Sequence, residues 1–332
     1  MNKTLIIAEA GVNHNGNLDL ALKLCDAAKE AGADVVKFQT WITEKIITKN
    51  VAQADYQTKN TGKVESQFDM LKKLELSFDD FRTIKKHCDE IGIQFASTAD
   101  EKWSLDFLIS LGIPFIKFGS AELTNIPFLR YAGSKKMPVI LSTGMSYLAD
   151  VDIAIRTLKE SGCPDITVLH CTTNYPCPYE TVNLRAMETL KNAFHLPVGY
   201  SDHTIGTDVA VAAVAMGASV IEKHFTLDKN MEGPDHKAST EPEEFKKLVE
   251  GIRCIEKALG NGEKVPSNDE KNISKVVLKR IVAVKDIKKD EIFTEDNITL
   301  LRNDEGMPSS MWDYVVGTRA KKDYYSGQAI NF

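Results

Sequence analysis

The chain has 332 residues, 43% of them hydrophobic and 27% charged, with 41 basic against 47 acidic residues and a formal charge of −6. That balance, with no basic block and no interleaving of aromatic and basic residues, argues against nucleic acid as a partner. No run approaches the ~20 apolar residues of a membrane span, and the opening MNKTLIIAEAG has no signal-peptide layout, so no membrane contact and a cytoplasmic location are expected.

Short apolar runs recur along the chain with helical segments between them. The candidate strands are 4–11, 33–40, 94–100, 114–120, 138–144, 166–172, 196–202 and 219–226. Segments 18–32 and 78–92 carry apolar residues at helical spacing and end in glycine, a common stop signal. Segment 207–218 is small and apolar enough to pack tightly on a sheet. Eight strand-then-helix units predict an α/β fold, a (β/α)8 TIM barrel. A doubly wound open sheet is the alternative, but no Gly-x-Gly-x-x-Gly turn follows the first strand. One polar, amide-rich insertion, roughly 41–77, is expected over the C-terminal face of the barrel. Residues 1–262 are assigned to the barrel, 263–275 to a linker, and 276–332 to a small β-rich domain. Six scattered cysteines follow no metal-knuckle spacing and read as reduced, mostly buried thiols.

Chemistry in such barrels sits at the C-terminal ends of the strands, and all eight predicted ends carry polar groups. They are Glu9; Lys37 with Gln39; Ser97 with Thr98; Lys117 with Ser120; Ser142 with Thr143; His170 with Thr172; Ser201 with Asp202 and His203; and Glu222 with His224. The last strand, SVIEKHFT (219–226), poses the sharpest question, because Glu222, Lys223 and His224 interrupt a run that otherwise suits burial. Buried ionisable groups cost several kcal/mol unless paired or ligated. The expectation is that all three line a polar barrel mouth.

His203 and His224 lie 21 positions apart on neighbouring strands and can converge. Two imidazoles among oxygen ligands, with open positions, suit a catalytic divalent metal, most simply Mn²⁺, with Mg²⁺ or Co²⁺ also possible. A hydrogen-bonded histidine pair without metal is the alternative. His14 and His170 read as structural, and His87 and His195 as helix-surface or loop residues. Lys37 and Lys117 beside Thr98, Ser120, Ser142 and Ser201 suit a phosphate-bearing anion, which needs charge and hydroxyl donors. Simple salt bridges to Glu9 or Glu122, or a Schiff-base lysine, are the rivals. The loops CTTNYPCPYE (171–180) and EGPDHKAS (232–239) offer Asn174, Tyr175, Asp235 and His236, although plain turn chemistry would also account for them.

The motifs AEAGVNHNG, VVKFQT, IKFGSAE, LSTGM, LHCTTNYPCPYE, GYSDHT, IEKHFTLD and GPDHKAS, in this order, resemble the sialic acid synthases. The tail resembles the antifreeze-like (SAF) domain fused to them. The resemblance implies condensation of phosphoenolpyruvate with an N-acylated mannosamine-type sugar to a nine-carbon 2-keto acid and phosphate. It implies Lys37, Thr98, Lys117, Ser120, Ser142 and Ser201 for phosphoenolpyruvate, and a metal at His203 and His224. It also implies Glu9, Glu222 and His224 as the catalytic set, Glu222 orienting a metal ligand or its water. Gln39, Asn174, Tyr175, Asp235 and Arg302 match sugar positions, the arginine acting across a domain-swapped homodimer. The first product expected is N-acetylneuraminate, from N-acetylmannosamine. Legionaminate, from 2,4-diacetamido-2,4,6-trideoxymannose, and pseudaminate are alternatives, and a non-catalytic sugar-binding barrel is the reading from another class. The 6-deoxy sugar needs an apolar contact that the sequence does not place. Departures from the family are STAD (97–100) for Ser-Thr-Pro-Phe, Ala121 for glycine, and Asn303-Asp304 after Arg302 where Pro-Gly is usual.

Overall fold

Successive side chains on a strand point to opposite faces, so a strand buried on both sides must satisfy two environments. The computed structural model, which describes residues 3–53, 58 and 65–331, shows how this chain does so. Its parallel strands are β1 (Leu5–Gly11), β2 (Val35–Thr40), β3 (Gln94–Ala99), β4 (Ile116–Phe118), β5 (Val139–Ser142), β6 (Ile166–Cys171), β7 (Val198–Asp202) and β8 (Val220–His224). They pair in sequence order, and β1 returns to β8 to close the barrel. The predicted helices form at Leu18–Glu30, Phe78–Ile91 and Asp208–Ala215. Ser77 and Asp80 form a capping box on the second of these, and Gly92 ends it in the left-handed region at φ 73°.

The outward faces, including Ile6, Phe38, Phe95, Phe118, Leu141, Val168 and Ile221, pack against the helices in one continuous core. The inward faces are layered. At the lower end of the lumen, Ile7, Val35, Ala96, Phe115, Ile140, Leu169 and Val220 form a separate buried cluster. Gly199 fills the β7 position between them, because a Cβ there would lie 2.5 Å from the Val220 carbonyl oxygen and 2.6 Å from Leu169 Cδ2. Two residues further along seven of the strands the lumen turns polar, with Glu9, Lys37, Thr98, Lys117, Ser142, Ser201 and Glu222, while β6 supplies Cys171.

Around the insertion, the described helices are Thr43–Ile46 and Gln67–Leu74. The part of the predicted insertion at 54–57 and 59–64 lies outside the described residues. The chain forms two compact units, Met1–Asn261 and Gly262–Phe332. In the second unit, β9 (Lys279–Ala283) pairs antiparallel with β10 (Ile298–Arg302) over a core that includes Ile281, Ile287, Phe293, Tyr324 and Ile330. A helix, Asn268–Val277, begins in the segment read as a linker and runs two residues beyond it, started by a capping box between Ser267 and Glu270. Its S-x-x-E signature was visible in the sequence, but the exposed Ile273, Val276 and Val277 disguise it, because no buried face accompanies the helix.

Candidate active site

The polar part of the lumen opens into a cavity of about 420 Å³ lined by Glu9, Lys37, Gln39, Thr98, Lys117, Ser120, Ser142, Tyr175, Ser201, His203, Glu222 and His224. These predicted site residues are thus brought together. A roomier cleft of about 700 Å³, bordered by Tyr147, Leu148 and Leu190, contains no carboxylate and no lysine. Of these two, the smaller cavity is the one that gathers acid–base groups.

Strand alternation arranges its side chains in two tiers. In the lower tier, Lys37 Nζ lies 2.6 Å from Glu9 Oε2 and donates to Thr98 Oγ1 at 3.0 Å. Lys117 Nζ lies 3.3 Å from Glu222 Oε1 and donates to Ser142 Oγ at 2.9 Å. Glu222 also faces Lys37 at 3.7 Å and accepts from Ser201 Oγ at 3.0 Å. Because Thr98 and Ser142 accept from ammonium groups, their own O–H bonds remain available as donors. Ser120 Oγ accepts the Gly144 N–H at 3.0 Å, so it too can donate.

The two carboxyls of this tier have opposite proton affinities. Burial pushes Glu222 up, but Lys117, Lys37 and the Ser201 hydrogen bond together outweigh it and hold the group at about 2. Glu9 ends above its usual value, because burial and the charge of Glu222 exceed the help from Lys37 and Gln39. Burial also lowers Lys117, whereas Glu222 and Glu9 more than compensate it at Lys37, which is raised. Of the two carboxyls, Glu222 thus holds its proton the more weakly and Glu9 the more tightly.

The upper tier holds Gln39, Asp100, Thr173, His203 and His224. The two imidazole centroids are 5.5 Å apart, and Tyr175 packs against His203 at 4.2 Å. His203 Nδ1–H donates to the Thr172 carbonyl at 2.7 Å, leaving Nε2 as the lone-pair nitrogen, 3.4 Å from Ser201 Oγ. Burial lowers the pKa of both histidines, and at His224 the neighbouring His203 adds to it. His224 Nδ1 and Glu222 Oε2 are buried with no hydrogen-bond partner. Two neutral rings with uncommitted nitrogens fit a metal site that leaves its remaining positions to ligand and water. Among the described residues, no group of three or more His, Cys, Asp or Glu is arranged to hold a metal ion.

Several predicted residues lie elsewhere. Lys223 does not line the mouth: alternation turns it outward, where its Nζ meets Asp202 Oδ2 at 2.7 Å and the Thr204 carbonyl at 2.8 Å. The two residues face each other in register between β7 and β8. Asn174 is exposed and absent from the cavity wall, since the irregular loop turns it to solvent while Thr173 and Tyr175 face inward. Asp235 stands behind His224, with its Oδ2 4.0 Å from Nδ1, rather than on the wall. Burial and the charge of Glu9 raise Asp235 to about 7. Arg302 is exposed at the end of β10 in the second unit. His14 and His170 are structural as expected: His14 Nδ1 accepts the Gly16 N–H at 3.0 Å, and His170 Nε2 donates to the Val182 carbonyl at 2.7 Å.

Asp100 was missed, yet its signal was present, because it stands two residues beyond Thr98 on the same face. Ile46, Ile47 and Leu71 also line the cavity, brought there by the insertion.

Residues 24–264 match the NeuB family and residues 280–332 the SAF domain. The chain is 48% identical to the N,N′-diacetyllegionaminic acid synthase of Campylobacter jejuni, over 99% of both chains. It is 47% identical to the enzyme of the same name from Legionella pneumophila, over 98% of this chain and 92% of that one. A solved N-acetylneuraminic acid (sialic acid) synthetase from Leptospira borgpetersenii superposes with a TM-score of 0.74 at 34% identity, covering 82% of this chain and 90% of that one. With both domains matched and the barrel shared, the chain belongs to the NeuB family and is an enzyme, a synthase of nonulosonate sugars.

Proposed function

We propose that the enzyme joins phosphoenolpyruvate to 2,4-diacetamido-2,4,6-trideoxymannose, forming N,N′-diacetyllegionaminate and phosphate. Identities of 47% and 48% to two synthases named for that product, against 34% to a sialic acid synthetase, favour this sugar over N-acetylmannosamine, the first expectation from sequence. The observation that carries the chemistry is the lower tier: two buried lysines, each orienting a hydroxyl donor, beside two carboxyls of opposite proton affinity.

Carbon 3 of phosphoenolpyruvate bonds to the sugar's aldehyde carbon with the electron pair of its C=C bond, and the aldehyde oxygen takes up a proton. Water then bonds to carbon 2 and releases a proton. The bond from carbon 2 to the phosphate oxygen breaks as the new hydroxyl gives up its proton to the leaving phosphate, which leaves the 2-keto acid. Lys37, Lys117, Thr98 and Ser142 bind the anion. Ionised Glu222 stabilises positive charge developing at carbon 2. Glu9, with its raised proton affinity, exchanges the proton. A divalent metal, Mn²⁺ foremost, held by His203 Nε2 and a ring nitrogen of His224, supplies Lewis-acid polarisation when bound.

The test is phosphate release from phosphoenolpyruvate with Mn²⁺, comparing the two sugars with and without chelator. Chelator-sensitive release favouring the diacetamido sugar is expected. A preference for N-acetylmannosamine would return the assignment to sialic acid, and release unaffected by chelator would remove the metal.

A further inference from the structure

Charged side chains account for the anionic end of the ligands but leave one wall of the cavity unexplained. Between β2 and β3 the insertion brings Ile46, Ile47 and Leu71 onto that wall, all three half-buried. A phosphate or a carboxylate gains nothing from such a surface.

The wall is also firmly built. Ile46 and Leu71 pack on a small buried cluster of Val12, Trp41, Met70 and Leu74 that is separate from the main core. Trp41 Nε1 donates to Thr43 Oγ1 at 3.0 Å, and both the backbone N–H and the hydroxyl of Thr43 donate to Glu75 Oε2, at 2.9 and 2.5 Å. These bonds tie helix Thr43–Ile46 to the residue that ends helix Gln67–Leu74. Gln67 and Leu71 are four residues apart on that helix, share a face, and both line the cavity.

We propose that Ile46, Ile47 and Leu71 form the surface that receives the methyl-terminated C6 of the sugar and disfavours a hydroxymethyl group there. Gln67, beside Leu71, supplies an amide partner for a neighbouring acetamido substituent. The proposal rests on the 6-deoxy diacetamido reading above and adds which residues make the choice. An apolar wall separates two such sugars by about 10–200-fold, the range for a hydrophobic site facing a small change in substituent.

The test compares kcat/KM for the 6-deoxy and 6-hydroxy sugars in the parent, Ile47→Thr, Leu71→Gln and Leu71→Met, with Tyr147→Ala in the neighbouring cleft as control. The parent, Leu71→Met and Tyr147→Ala should share one preference for the 6-deoxy sugar. Ile47→Thr and Leu71→Gln should each lose about tenfold of it, through KM for the sugar and with KM for phosphoenolpyruvate unchanged. Ile47→Thr is a small change at a half-buried position, so the test does not depend on Leu71→Gln folding. If the parent prefers the 6-deoxy sugar and both polar variants keep that preference, the wall is not the selector and the substrate reading stands. If the parent prefers the 6-hydroxy sugar, the substrate reading and the wall fall together.

Discussion

Lys117 on β4 and Glu222 on β8 meet inside the barrel, 3.3 Å apart, although their strands lie on opposite sides of the ring. Glu222 also faces Lys37, which pairs with Glu9 at 2.6 Å, so this carboxylate lies near both buried ammonium groups. Glu222→Gln should cost roughly 3–5 kcal/mol of stability, the usual loss when one partner of a buried pair is removed. Inorganic phosphate should recover part of that loss by taking the place of the missing charge. Thermal melts with and without phosphate check this: a larger phosphate-induced rise in the variant than in the parent is expected, and equal rises would contradict an anion site at these lysines.

The histidine pair makes a separate prediction. Metal that binds only the folded protein stabilises it by about 2.7 kcal/mol at a hundred times its dissociation constant. Mn²⁺ should therefore raise the melting temperature of the chelator-treated parent and leave His203→Ala unmoved. Turnover should vanish in the variant. An identical Mn²⁺ shift in both proteins would place the metal elsewhere.

Lys223 and Asp202 form an ion pair sealed between the barrel and its helices, with side chains 1% and 0% exposed. Asp202 Oδ1 also accepts the Thr204 N–H and O–H, so the pair clamps the turn that carries His203. Lys223→Met leaves Asp202 buried without its cation and should cost roughly 3–5 kcal/mol. Adding Asp202→Asn keeps an acceptor for Thr204 and should restore most of the loss. Urea unfolding of the two single variants and the double measures this coupling, and strict additivity would show that the two residues act independently.

Asp100 gives a pH dependence whose sign can be fixed. Burial and the charge of Glu122 raise it to about 7 from 3.8, Lys37 opposes them, and Glu101 and Glu9 add to the rise. The folded protein thus binds this proton more tightly than the unfolded chain, and stability falls as pH rises from 3.8 to about 7. Asp100→Asn removes the penalty. It should be more stable than the parent at pH ~8, on the order of 1–2 kcal/mol after allowing for screening at the cavity mouth, and no different below pH ~3.5. Denaturant midpoints at the two pH values test this, and a gain that persists at low pH would point to some other cause.

Much of the site was legible because a strand has a period of two and a closed barrel turns alternate residues inward. Lys37 with Gln39, and Glu222 with His224, could be placed on one face without coordinates. The same rule turns Lys223 outward. What it could not give was Asp202, its partner in register, because pairing between strands is a long-range fact. Asn174 failed for the opposite reason: it lies in an irregular loop where no period sets the side-chain direction. The insertion read as polar by composition, yet three of its apolar residues reach the cavity, two of them, Ile46 and Leu71, through packing on Trp41 and Met70.

The apolar cluster of Ile7, Val35, Ala96, Phe115, Ile140, Leu169 and Val220 stops the lumen beneath the lysines. Among the described residues, the cavity above Lys37 and Lys117 runs toward the histidine tier. A group held at His203 and His224 stands above one held at the lysines. Two guests stacked on these tiers are therefore expected to bind in order, the deeper before the shallower, and to leave in the reverse order.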